Sequence, residues 1–245
     1  MNPAEMHRGF FAYHCITLAQ QMRFSSNVNG YFLLADDSIF NIWQQIDYSR
    51  VHHVMGVTYS NCSDWWPGDN GILAARRAVQ TAKDTVDPKV IETWQTFENG
   101  LRKYGYLLPN ETVDSQMLSG LGRSVSDFFY IPSTKIDYYA SLMTIFYKAG
   151  LFLELAVNRF LRSVNHQTSP NGNYSYLWLN RRNWSTLYSE NLMMLHPIKP
   201  SQFRAPVYER FLYCEKVMQV WSDIMFRGST NYTTKQDGDE DYLNG

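Results

Sequence analysis

The chain lacks any apolar run near the roughly 18 residues that a membrane-spanning helix needs. No basic region followed by an apolar stretch and a small-residue cleavage site opens it, so no secretory signal is visible. Cysteine is scarce. Cys15, Cys62 and Cys214 lie far apart, which excludes a CxxC redox motif and zinc-finger spacing and leaves one disulfide plus a thiol, or none. Basic charge shows no surplus, with 22 Lys and Arg against 23 Asp and Glu, so composition gives no support to nucleic-acid binding. There is no GxSxG, HExxH or P-loop, and no GxGxxG after a strand. The chemistries those motifs mark therefore have no foothold here.

What is present is a core-forming chain. It has 245 residues, 44% of them hydrophobic, enough for one large domain or two small ones. Aromatic residues make up 16%, with seven Trp and seventeen Tyr; they suit a large aromatic core and equally suit carbohydrate contact. Five Asn-x-Ser/Thr sequons, at Asn61, Asn110, Asn173, Asn183 and Asn231, exceed the roughly two that chance would give. They point to the lumen of the secretory pathway, where such sites carry N-glycans. A lumenal protein without its own anchor implies that the anchor lies outside this chain.

Periodicity alternates strands with helices, which argues for one α/β domain over residues 1–227. Residues 9–22 read as an amphipathic helix, 31–35 as a strand, 38–45 as a short helix and 54–59 as a second strand. The loop 61–71 holds the unusual pair Trp65-Trp66. Helices follow over 72–84 and 88–104, then a polar, turn-rich stretch over 110–122. A strand over 127–131 stops at Pro132, with Ser133 as the N-cap of the next helix. Gly150 separates that helix from another. Residues 166–173 read as a loop, 174–179 as a strand, and 192–195 as an apolar run ending at His196-Pro197. A last helix spans about 206–225. The acidic tail 228–245 has little apolar content and reads as disordered.

Four features could carry chemistry. The strand Gly30–Ala35 ends in Asp36-Asp37, two carboxylates that repel each other unless something positive sits beside them. A divalent ion bearing a phosphate ligand is one answer, with Asp37 as metal ligand and Asp36 reaching a ribose hydroxyl; a solvated Asp-Asp turn is the other. His196, at the end of an apolar run, is either a metal-binding imidazole or a hydrogen-bonded structural one, and Lys199 either faces a phosphate or is solvated. Glu154 sits within an apolar helix segment. Burial would raise its pKa and suit it to general-base work, unless it faces water. Trp65 and Trp66 beside Asp64 form either a sugar platform or a plug into the core. The neighbours His52 and His53 point to opposite faces of a strand, which disfavours a shared metal.

Taken in order, GYFLLADDSIFNIW (30–43), SDFFYIP (126–132), GLFLELAV (150–157) and LHPIKPS (195–201) resemble GT-A-type nucleotide-sugar glycosyltransferases, especially exostosin-like and STELLO-like proteins. The resemblance implies an α/β, GT-A-like mixed sheet flanked by helices. It implies sugar transfer from a nucleotide-sugar donor, a UDP-sugar in the first instance, to a glycan or glycoprotein acceptor in the Golgi lumen. By the same analogy Asp37 and His196 hold Mn²⁺ or Mg²⁺, and Asp36 and Lys199 contact the donor. Glu154 acts as base or orients the acceptor, and Asp64, Trp65 and Trp66 line the acceptor side. The motif departs from the family in reading Ala35-Asp36-Asp37 rather than a strict DxD. Few residues precede it, so the resemblance further implies that the first nucleotide-binding strands are missing from this chain. Two other readings stand beside it: a non-catalytic glycan-binding or secreted structural module with a remnant fold, and a hydrolase using Asp36, Asp37 and Glu154.

Overall fold

The computed structural model describes residues 9–22, 28–59, 65–169, 174–177, 183–198 and 207–233. The chain divides into two compact units: Met1–Asp36 with Gln45–Gly172, and Asp37–Gln44 with Asn173–Gly245.

The first unit is a mixed four-stranded sheet flanked by helices. Its strands are β1 (Gly30–Leu34), β3 (Val51–His53), β4 (Phe128–Pro132) and β5 (His166–Gln167), in the order β1-β4-β3-β5. β1 and β3 run antiparallel to β4, while β5 runs parallel to β3. β4 is paired on both sides and buried along its whole length, which is why the unbroken run FFYIP suits it. β1 alternates. Tyr31 and Leu33 pack on the core, and Phe32 and Leu34 are exposed.

The helices of this unit are α1 (His14–Met22), α2 (Ala74–Asp84), α3 (Pro88–Lys103), α4 (Val113–Met117), α5 (Ser133–Ala149) and α6 (Leu153–Arg162). Asp87 caps α3 by accepting the Lys89 N–H, with Pro88 in the first turn where its missing N–H costs nothing. α5 ends at Gly150, whose φ of +76° is a left-handed cap that other residues adopt only with strain. Their apolar faces join the sheet in one core that includes Phe97, Phe129, Tyr139, Phe146 and Phe160.

The second unit is built on a three-stranded sheet, β2 (Ile39–Phe40), β6 (Tyr174–Tyr176) and β7 (Met194–His196), in the order β2-β7-β6. β2 is antiparallel and β6 parallel to β7. Helices α7 (Trp184–Leu187), α8 (Val207–Tyr213) and α9 (Gln219–Thr233) complete it, the last two joined through a wider π-helical stretch over Cys214–Met218. Its own core holds Ile39, Leu177, Trp184, Leu195, Ile198 and Val217.

The mixed α/β class expected from the pattern is the one found, and several local expectations differ from it. Residues 38–45 do not form a helix. Ile39 and Phe40 pair with Leu195 and Met194, so long-range pairing overrides a helical spacing. The second strand lies at Val51–His53, not 54–59. The His53 imidazole Nδ1 accepts from the N–H groups of Met55 and Gly56 and turns the chain there. Ser133 is the first residue of α5, not its cap. The 110–122 stretch contains α4, capped by Thr112. The last helix continues to Thr233, and residues 234–245 lie outside the described residues.

Candidate functional site

In the second unit, Asp37 enters β2 and His196 closes β7. The antiparallel register that sets Ile39 against Leu195 carries the two towards each other. Asp37 Oδ1 lies 3.0 Å from His196 Nε2, and their side chains are only 10% and 6% exposed. The backbone reinforces the meeting: the Ile198 N–H donates to the Asp37 carbonyl at 2.6 Å, and the Leu177 N–H to the His196 carbonyl at 2.7 Å. The Tyr176 ring stands edge-on to the imidazole, and the His196-Pro197 peptide is cis.

Two ligands adjacent on an octahedral ion, each about 2.1 Å from it, stand about 3.0 Å apart. The Asp37–His196 separation is that of a direct imidazole–carboxylate hydrogen bond, and it is also the spacing of two adjacent ligands on an octahedral ion, for which the carboxylate is the better donor to Mn²⁺ or Mg²⁺. Among the described residues no third His, Cys, Asp or Glu joins them. Ions that bridge phosphates are commonly held by one or two protein ligands, the remaining positions being filled by substrate oxygens and water. Asp36 belongs to the other unit and is exposed. Lys199 and Asp64 lie outside the described residues.

The first unit holds Glu154 in the first turn of α6. Its Oε2 is buried and has no hydrogen-bond partner among the described residues. Burial pushes the carboxyl up to about 7; the Arg123 charge opposes this and the Asp127 charge adds to it. Arg123 and Asp127 thus belong to the surroundings of Glu154, and sequence reasoning did not single them out for it. Their position on either side of Ser124–Ser126, just ahead of β4, was the only signal. The Ser124 N–H donates to the Glu154 carbonyl at 3.0 Å, which sets that segment against the start of α6.

Trp65 stacks on Phe152 with ring centroids 4.4 Å apart and meets Phe10 edge-on. Trp66 lies so close to Gly120 that a Cβ there would come within 2.9 Å of its ring. Both indoles are half-buried against the core of the first unit. Trp65 nonetheless sits at the helix end that carries Glu154, since Phe152 is the residue preceding α6.

Beyond Glu154, α6 continues its polar side inward. Asn158, Arg159 and Arg162 are all buried. Arg159 donates to the carbonyls of Ser119 and Leu121, and Arg162 to the Leu121 carbonyl and to Gln116 Oε1. Arg162 also lies over the rings of Tyr59 and Tyr106. These bonds fasten the 119–124 segment to the helix. His52 and His53 lean on Phe128 and Phe129, successive residues of β4 that face opposite ways.

The class of protein, a glycosyltransferase family, comes from comparison of the sequence with family models. Residues 1–128 match the model of the STELLO glycosyltransferases, and the chain belongs to that family. The match includes Asp36, Asp37, Trp65, Trp66 and Arg123, and stops short of Glu154 and His196. No curated protein and no solved structure matches the chain.

Proposed function

We propose that the chain transfers a sugar from a nucleotide-sugar, a UDP-sugar in the first instance, to a hydroxyl of a glycan or glycoprotein acceptor in the Golgi lumen. The observation that carries the reading is the buried Asp37–His196 contact at 3.0 Å in a chain of a glycosyltransferase family. Asp37 and His196 would hold Mn²⁺ or Mg²⁺, which supplies positive charge to the departing diphosphate. Asp36 and Lys199 serve the donor, and Asp64, Trp65 and Trp66 the acceptor.

Glu154 is the general base of this reading. A carboxyl titrating near 7 is half ionised at neutral pH and can take the proton of the acceptor hydroxyl as its oxygen bonds to the sugar carbon. The bond from that carbon to the diphosphate oxygen breaks, and the diphosphate leaves with the electron pair. Two exposed sequon residues, Asn110 and Asn183, support a lumenal setting, where both would be open to glycan attachment.

The test is thermal. Mn²⁺ together with UDP is expected to raise the melting temperature, and Asp37→Ala to abolish the rise. A shift of less than about one degree in the unaltered chain at saturating ligand contradicts the proposal.

A further inference from the structure

Asp137, Ser141, Thr144 and Lys148 recur along α5 at the three- and four-residue spacing that sets side chains on one face of a helix. They line a cleft of about 600 Å³ in the first unit. Gln20 and Gln21 at the end of α1, Thr81 of α2 and the first turn of α3 line it too. The volume falls within the roughly 300–1,000 Å³ of small-molecule sites, and a cleft between helices is a usual place for one. Neither Glu154 nor the Trp65-Trp66 pair borders it.

The charges in the cleft are unequally engaged. Asp87 accepts the Lys89 N–H as the cap of α3, and Asp137 accepts from Gln20 Nε2, both at 2.9 Å. The ammonium groups of Lys89 and Lys148 have no ion pair or hydrogen bond among the described residues. The first turn of α3, the positive end of a 16-residue helix, adds to them. One lysine opens α3 and the other closes α5. Two point charges on separate helices suit two singly charged groups along one ligand better than a single doubly charged phosphate.

Hydroxyls supply most of the remaining polar lining. Thr93 and Thr144 donate to the carbonyls of Lys89 and Ala140, both at 2.7 Å, and keep lone pairs to accept with. The hydroxyls of Thr81 and Ser141 have no partner among the described residues. Val90, Ala140 and Ile145 offer aliphatic contact, and no aromatic ring among the described residues lines the cleft. A nucleotide base would find nothing there to stack on.

We propose that this cleft binds a short acidic oligosaccharide, its carboxylates on Lys89 and Lys148 and its hydroxyls on Thr81, Ser141 and Gln21. The ligand class is a uronic-acid-containing glycan. The cleft is a holding site, and no bond of the glycan forms or breaks in it.

Calorimetric titration of the full chain with a glucuronic acid trisaccharide tests this, beside the methyl ester of that trisaccharide, the matching glucose trisaccharide and citrate. The acid is expected to bind, and the ester and the neutral sugar to bind at least about tenfold more weakly. Lys89→Gln with Lys148→Gln is expected to weaken the acid at least about tenfold. Lys83→Gln with Lys103→Gln removes the same charge outside the cleft and is expected to change nothing. Circular dichroism verifies that the variants are folded; should the cleft variant unfold, the acid against its ester gives the same contrast on the unaltered chain. No binding of the acid, or equal binding of its ester, overturns the assignment. Equal weakening by the two lysine pairs overturns the location, and citrate binding as tightly as the acid overturns the sugar. None of these outcomes depends on sugar transfer, so the proposed activity stands or fails separately.

Discussion

Asp37 and His196 hold each other through two kinds of contact. Their side chains meet at 3.0 Å, and the Asp37 carbonyl accepts the N–H of Ile198, two residues past His196. Replacing Asp37 by Ala removes a partner from a buried imidazole nitrogen and is expected to destabilise the second unit by about 1–3 kcal/mol. Urea unfolding followed by tryptophan fluorescence measures it, since Trp43, Trp184 and Trp221 all lie in that unit. Asp36→Ala alters an exposed side chain and is expected to change stability by less than about 0.5 kcal/mol. Equal losses from the two substitutions would contradict the distinction between them.

Glu154 gives a pH dependence of definite sign. Its folded pKa of about 7 lies above the ordinary 4.5, so the fold holds a proton that the unfolded chain releases earlier. The stability contributed by the neutral carboxyl is complete below about 4.5 and is lost as pH rises through about 7. Glu154→Gln stays neutral throughout. The variant is therefore expected to gain stability relative to the parent between pH 5 and 8, read by denaturant midpoints at stepped pH. A constant difference over that range would show that the carboxyl titrates normally.

His53 acts in the opposite direction. Burial, with the nearby charges of His52 and His166, lowers its pKa to about 3, and its Nδ1 accepts two backbone N–H groups that a proton on that nitrogen would displace. Stability from the neutral ring is present above about 6.5 and is lost as pH falls towards 3. His53→Leu is expected to cost about 2–4 kcal/mol at pH 7 through the two lost bonds and altered packing. The gap between the chains then narrows with acid. A gap that widens between pH 6.5 and 4 would refute this.

The sequons give an outcome independent of energetics. Asn110 and Asn183 are exposed, so expression through a eukaryotic secretory pathway is expected to yield chains that shorten on glycosidase treatment. Asn110→Gln and Asn183→Gln should each remove one step of that shift on a gel. An unaltered mobility in the double variant would assign the glycans to other positions.

Much of this fold can be read locally. The strand at Phe128–Pro132, the capped helix from Pro88 and the stop at Gly150 follow from β-branched and aromatic runs, an Asp-Pro start and a glycine end. β2 cannot be read that way. Two residues have no period of their own, and Ile39 becomes a strand residue only because Leu195 arrives beside it. The same applies to the site. Asp37 and His196 are conspicuous because each terminates an apolar run, and Glu154 because it interrupts one. Asn158, Arg159 and Arg162 are ordinary for a helix surface by sequence, and only tertiary packing turns them inward onto the carbonyls of residues 119–121.

The second unit draws on residues 37–44 and on everything from 173 onward. A ribosome makes the first piece long before the second. Until Met194–His196 leaves the exit tunnel, Ile39 and Phe40 have no strand to join and Asp37 no imidazole. The first unit, by contrast, has all its strands once Gln167 is made. A nascent chain halted after about residue 172 would thus carry the Asp36-Asp37 pair with only one of its two acids in a finished structural context.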